Sequence, residues 1–201
     1  MLETFSSGGL LMIPISVASV TALAICAERA WFLQRGRVLP AGTVNQFKQL
    51  LEKKGFSDED FQMLASSCLL GQVFFEGLKK AKLGKDEMKE AMGASVTQSS
   101  YLLEKYLTTL GVIAAVCPLL GLLGTVIGMI DVFATINETG ARNSFLLAGG
   151  ISTALVTTAA GLIIAIPSLV MHRVFVRRVD EFVSEMDNQS IKFIDLIESM
   201  R

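Results

Sequence analysis

No aspartate, glutamate, lysine or arginine occurs from Thr4 to Ala27, from Tyr106 to Ile130 or from Asn143 to Met171. Each window is longer than the roughly 20 residues a helix needs to cross a ~30 Å hydrocarbon core. Three such windows in 201 residues leave little chain for a soluble catalytic domain. Other scarcities point the same way. There is a single histidine, His172, at the inner end of the third window, where an interfacial side chain is a better reading than a ligand or proton relay. The three cysteines, Cys26, Cys68 and Cys117, have no metal-ligand spacing. Two fall in apolar windows and the third in a cytoplasmic stretch, which argues against a disulfide. No glycine loop for a nucleotide, zinc spacing or nucleophile elbow is present, so an enzyme is the least favoured class and no cofactor or metal is expected. A net charge of −1 gives no nucleic-acid footprint.

What charge there is lies unevenly. Before the first window there is only Glu3, and the loop Asn137 to Phe145 holds Glu138 and Arg142. Every other lysine and arginine follows Ala27 and precedes the second window, or follows the third. The positive-inside rule makes both of those stretches cytoplasmic. The reading is an all-α, three-span membrane protein. Residues 1–9 lie outside, 10–27 form the first span and 28–107 a cytoplasmic helical insert. Residues 108–133 form the second span, 134–147 the outer loop, 148–171 the third span and 172–201 a cytoplasmic C-terminal helix. The first window ends in Glu28-Arg29-Ala30-Trp31-Phe32 with no small-residue cleavage site, so it reads as a retained span with Trp31 and Phe32 at the interface.

Within the insert, Val44, Phe47, Leu50 and Leu51 form an amphipathic run closed by Gly55. Ser57 and Asp60 read as a capping box before Phe61, Leu64 and Ala65. A third run from Leu69 to Ala81 ends at Gly84, and from Lys85 nothing in the sequence breaks a helix that leads through Met88, Met92, Val96, Leu102 and Leu103 into the second span. The tail keeps a helical pattern through Val176, Val179, Val183, Met186, Ile191, Ile194 and Ile197. The second and third spans are thus expected to be the upper parts of long helices reaching into the cytoplasm, with the insert as a helical collar.

Gly121, Gly124 and Gly128 share one face of the second span, and Ala154, Thr158, Gly161 and Ala165 repeat the idea in the third. Small residues let helices approach closely where lipid removes the hydrophobic drive between them. Ser152, Thr153, Thr157, Thr158 and Ser168 in the third span, with Thr125 in the second, supply hydroxyls. Each either bonds a helix carbonyl or lines a narrow hydrated path. No carboxylate lies deep in a span. Asp131 is nearest, close to the outer end of the second, so any titrating group of an ion path must come from another protein.

The segment Ala114-Ala115-Val116-Cys117-Pro118-Leu119-Leu120-Gly121-Leu122-Leu123-Gly124-Thr125-Val126-Ile127-Gly128-Met129-Ile130 resembles the second-span signature of the ExbB/TolQ/MotA family. Gly150 to Pro167 resembles its third-span signature, and Glu28-Arg29 is also typical. The order of the three spans places the chain nearest the ExbB/TolQ branch. The resemblance implies an inner-membrane, energy-transducing subunit with a periplasmic N-terminus. Five copies would form a ring around two copies of an ExbD/TolR-like single-span partner, whose membrane aspartate carries the proton. Ion flow would drive work on a TonB/TolA-like transducer for outer-membrane transport or envelope maintenance.

By position, Thr125 and Thr158 match the family's pore threonines, with Thr153 and Thr157 beside them. Pro118 and Pro167 match its span prolines, expected as helix bends. Many relatives carry glutamate where this chain has Thr153, a departure that leaves sodium open beside the proton. The rival readings are a partner-independent ion channel and a structural membrane scaffold.

Overall fold

The computed structural model describes residues 11–40, 42–52, 58–139 and 144–199, and no strand occurs among them. The helices are α1 (Met12–Phe32), α2 (Arg35–Val38), α3 (Thr43–Glu52), α4 (Asp58–Ser67), α5 (Leu69–Lys80), α6 (Lys85–Glu104), α7 (Leu107–Thr139) and α8 (Ser144–Ser199). Three stretches, Met12–Phe32, Lys85–Ala134 and Ala148–Ser199, are long and apolar enough to cross a membrane. The expected outer N-terminus, Gly55, Ser57 and Arg142 lie outside the described residues, as do the side chains of Leu50, Leu51 and Phe61.

The chain divides into two compact units. One takes in α1 down to Glu28 and Tyr106–Val174; the other takes in Arg29–Lys105 and the chain from Phe175 onward. Helix α8, 56 residues long, contributes to both.

One buried stripe runs along α8 at three- and four-residue steps, and its chemistry changes along the way. In the first unit the stripe is small: Ala154, Thr157, Gly161, Ala165 and Ser168. In the second it is large: Phe175, Val179, Phe182, Met186 and Phe193. Packing between helices in lipid depends on close backbone approach, whereas packing in water is driven by apolar area removed from solvent. The change of residue size along one helix matches a change of solvent.

The second unit is built around that large stripe. Phe47 of α3, Phe74 of α5 and Phe193 of α8 are fully buried together. Phe74 stacks on Phe193 with ring centroids 4.2 Å apart, and Phe47 meets both edge-on at 5.3 and 5.7 Å. Helix α5 packs on α4 and α6, and Met88, Met92, Val96 and Leu103 of α6 are buried. The insert and the tail therefore share one core. The apolar residues named in the tail from sequence mixed two faces: Ile191 is 53% exposed, and Phe175, Phe182 and Phe193 take the buried positions. Lys85 Nζ bonds Glu198 Oε2 at 2.7 Å and Asp195 Oδ1 at 3.4 Å, joining the start of α6 to the end of α8. Those two carboxylates, Glu198 foremost, hold the exposed Lys85 ammonium above the usual lysine range.

One expectation fails. The helix beginning at Lys85 does not run unbroken into the second apolar stretch. It ends at Glu104, Lys105 is extended (φ −49°, ψ 134°) and Tyr106 adopts φ 65° before α7 begins. No glycine or proline marks this break, and a left-handed conformation costs a non-glycine residue roughly 1–2 kcal/mol. The compensation comes from far away in sequence. Arg29 is 2% exposed, and its Nη1 donates to the Leu102 and Leu103 carbonyl oxygens at 3.2 and 3.1 Å. Both carbonyls are among the last four of α6, which have no partner within their helix. The guanidinium also lies over the Phe32 ring, 4.8 Å from its centroid. Hydrogen bonds from a charged donor contribute about 1.5–3 kcal/mol each. Arg29→Met is expected to destabilise the chain by about 2 kcal/mol or more, read as a fall of several degrees in the unfolding temperature of the detergent-solubilised protein. An unchanged unfolding temperature would remove Arg29 as the stabiliser of this break.

Candidate functional site

Helices α7 and α8 meet inside the first unit through their small residues. A Cβ added at Gly121 would lie 2.9 Å from Thr158 Cα and 3.2 Å from the Thr157 carbonyl oxygen. At Gly124 it would meet Thr157 Cγ2 at 2.5 Å, and at Gly128 Ala154 Cβ at 2.9 Å. From the other side, a Cβ at Gly161 would lie 2.5 Å from the Cys117 carbonyl oxygen and 3.3 Å from Gly121 Cα. The partners descend along α8 as they ascend along α7, so the helices are antiparallel and in close contact over several turns. The two small-residue faces noted in the sequence are thus two sides of one seam within a single chain.

The seam extends beyond the residues that sequence reasoning selected. Cys117 is 1% exposed, Gly150 packs against Val132, and Gly111 lies under His172, whose Nε2 would sit 2.9 Å from an added Cβ. The signal was available. Continuing the three- and four-residue steps from Gly121 back through Cys117, Ala114 and Leu110 to Leu107, and forward to Val132, traces most of the buried face of α7, with Ile113 beside it. Ala165 lies on the α8 stripe and is 4% exposed. Pro118 and Pro167 both lie inside their helices, which continue past them.

The hydroxyls divide by position. Thr157 is 1% exposed, faces Gly124 and donates to the Thr153 carbonyl at 3.0 Å. Ser168 is buried and donates to Ile164 at 2.7 Å. Thr158 is half-buried, and its Oγ1 donates across the seam to the Gly121 carbonyl at 2.8 Å. Thr125, also half-buried, donates to Leu122 at 2.7 Å. Thr153 is half-buried and Ser152 exposed. Thr125 and Thr158 donate to consecutive carbonyls of α7, those of Leu122 and Gly121, so their hydroxyls lie at similar depth. In both, the only hydroxyl proton is committed to a helix carbonyl. A hydroxyl whose proton is committed offers its remaining lone pairs and acts as an acceptor. Such oxygens can ligate a cation, accept from hydronium or water, or accept from a protonated carboxyl group.

Around the seam, Leu119, Leu122, Val126, Ile130, Leu155, Ile163 and Ile166 are exposed, an apolar surface consistent with lipid or further protein around it. Among the described residues no group of three or more histidines, cysteines or carboxylates is placed to hold a metal ion.

Residues 66–188, which contain the seam, match the MotA/TolQ/ExbB proton channel family. An ExbB-like biopolymer transport protein of Synechocystis is 31% identical over 179 residues, covering 88% of this chain and 70% of that protein. The biopolymer transport protein exbB1 of Vibrio cholerae is 25% identical over 193 residues, covering 94% of this chain and 84% of that protein. The biopolymer transport protein ExbB of Salmonella typhimurium is 40% identical over a shorter stretch of 77 residues, 38% of this chain and 30% of that protein.

Proposed function

The chain belongs to the MotA/TolQ/ExbB proton channel family, and on that premise we propose that it is the ring-forming subunit of an ion-driven motor in a bacterial inner membrane. Five copies enclose two copies of an ExbD/TolR-like single-span partner. Proton or sodium flow through the assembly does mechanical work on a TonB/TolA-like transducer. The N-terminus and the outer loop are periplasmic, and the insert and C-terminal helix cytoplasmic, as the distribution of lysine and arginine supports. Relatives bearing the name biopolymer transport protein favour this reading over a passive channel or a scaffold.

The observation that carries the mechanism is the state of the two seam threonines. Thr125 and Thr158 present acceptor oxygens whose protons are already committed, and no carboxylate of this chain lies deep in an uncharged window. The chain thus supplies ion-binding oxygens and lacks the titrating group that must load and release the ion. The partner supplies it, as a membrane aspartate. When protonated, that aspartate donates to Thr158 or Thr125. When ionised, it is bridged to them by a hydrated cation. Thr153, on the same helix, and the buried Thr157 orient this surface. One charge crossing 100 mV releases about 2.3 kcal/mol, so a few ions offset several kcal/mol of work.

The decisive test is the mass and composition of the complex extracted from its native membrane in mild detergent. The expected result is five copies of this chain with a small single-span protein that carries a membrane aspartate. A homo-oligomer without such a protein, with lipids still bound, would sink the motor reading and favour a self-sufficient channel.

A further inference from the structure

Charge is scarce in the first unit. Among its described residues Arg173 is the only lysine or arginine, and it lies in α8 two residues beyond the third uncharged window. It is exposed, and it forms no ion pair among the described residues. Its neighbour His172 turns into the seam against Gly111. Arg173, about 100° further round the helix, points away from it.

The side of α8 on which it lies can be followed from residue to residue. The seam runs through Ala154, Thr157, Gly161, Ala165 and Ser168, and Thr158 flanks it on one side. Thr125 flanks it on the same side, since the two hydroxyls bond consecutive carbonyls of α7. From Thr158, the sequence leads through Leu162 and Leu169 to Arg173, all within about 60° of arc on an ideal helix. Leu162 and Leu169 are exposed, and α8 is continuous throughout. Arg173 therefore lies on the flank of the two acceptor threonines, about 22 Å of rise further along α8.

We propose that Arg173 holds a carboxylate of the single-span partner at the inner end of its span, and so sets the height of the partner's membrane aspartate. The inference rests on the motor reading. A protein that crosses the membrane once leaves one end in the cytoplasm. A partner whose aspartate meets Thr125 and Thr158 passes Arg173 on the way there. A guanidinium with no ion pair in its own chain favours a carboxylate, which it takes through two parallel N–H donors. The offset fixes where that carboxylate lies. It is about 15 residues from the aspartate in a helix and about 7 in an extended chain, on the cytoplasmic side. Arg173 is a positioning residue: it acts on the ion only through the height of the partner. A guanidinium facing lipid would reach for a lipid phosphate instead, and the flank shared with the threonines favours the partner.

The test uses the complex purified from its native membrane in mild detergent, held by a tag on this chain and washed at fixed salt. The partner is expected to leave the Arg173→Gln complex about tenfold faster than the wild-type complex, the scale of one charge-assisted hydrogen bond. Arg173→Lys, which keeps the charge, should restore most of the difference. Neutralising the partner's carboxylate at the stated spacing should have the same effect as Arg173→Gln, and the two changes together should cost no more than either alone. An unchanged oligomer mass in each variant shows that the assembly of this chain is intact. Equal dissociation from the wild-type and Arg173→Gln complexes overturns the pairing. So do fully additive losses, or a partner with no carboxylate about 7–15 residues from its aspartate. Loss of bound phosphatidylglycerol from Arg173→Gln with partner retention unchanged overturns it in favour of a lipid contact. A wild-type complex that holds no single-span protein overturns the motor reading itself and the pairing with it, a result distinct from all the others.

Discussion

Thr158→Val is expected to lower gradient-driven function by about ten- to a hundredfold while leaving the composition of the complex unchanged. The valine matches threonine in shape, so the seam stays filled. The Gly121 carbonyl loses the hydroxyl donor at 2.8 Å but stays within α7, and a loss of that kind costs about 1 kcal/mol. What disappears is the outward lone pair. If it binds a charged species in transit, its contribution is about 1.5–3 kcal/mol, which corresponds to the stated range. Thr158→Ser keeps both the donor and the lone pair and should retain most of the function. The measurement is work driven by the ion gradient in cells expressing each variant at wild-type level, with co-purification of the partner as the control. Full function in a well-expressed Thr158→Val strain would remove Thr158 from the ion path.

The second large effect concerns Gly161→Ala. Its new Cβ would meet backbone on the opposing helix, the Cys117 carbonyl oxygen at 2.5 Å and Gly121 Cα at 3.3 Å. No rotamer relieves a clash with backbone, so α7 and α8 must separate, and contacts on both sides of the seam are lost. Overpacking of this kind costs about 1–3 kcal/mol, and the upper end is expected here. Gly93→Ala is the counter-experiment. It lies within α6 with nothing inside 4 Å of an added Cβ, so the better helix former should gain about 1 kcal/mol. Unfolding temperatures of the two variants in the same detergent should therefore move in opposite directions. A shift of the same sign and size in both would mean that the seam is not as tight as its geometry indicates.

The three apolar helices were legible because lipid enforces a crude rule: a long window without charge. The seam was legible for a related reason, since close packing in lipid selects small residues at helical spacing, and Gly121, Gly124, Gly128, Ala154, Gly161 and Ala165 announce it. Whether those faces joined within a chain or between chains could not be read, because either arrangement needs the same residues. The second unit was less legible. Phe47, Phe74 and Phe193 come from segments far apart in sequence, and nothing local says that they meet. The break at Tyr106 was illegible for the same reason. Its stabiliser, Arg29, lies more than seventy residues away, and the local signs of a helix end, glycine or proline, are missing. The hydroxyls were seen as candidates, but only the geometry separates Thr157, closed inside the seam, from Thr158 and Thr125, which keep an accessible side.

The two stripes on α8 are locked in phase. Because the helix passes from the small stripe to the phenylalanine stripe without interruption, each residue added or removed between Met171 and Phe175 would turn one stripe against the other by about 100°. The small residues and the phenylalanines would then no longer share one face of α8. The count of residues in that short interval is therefore as constrained as any side chain, although none of them needs special chemistry. The parallel interval at Lys105 and Tyr106 is under no such restriction. A broken helix carries no phase across its break, so length and sequence can drift there as long as Arg29 still finds the end of α6.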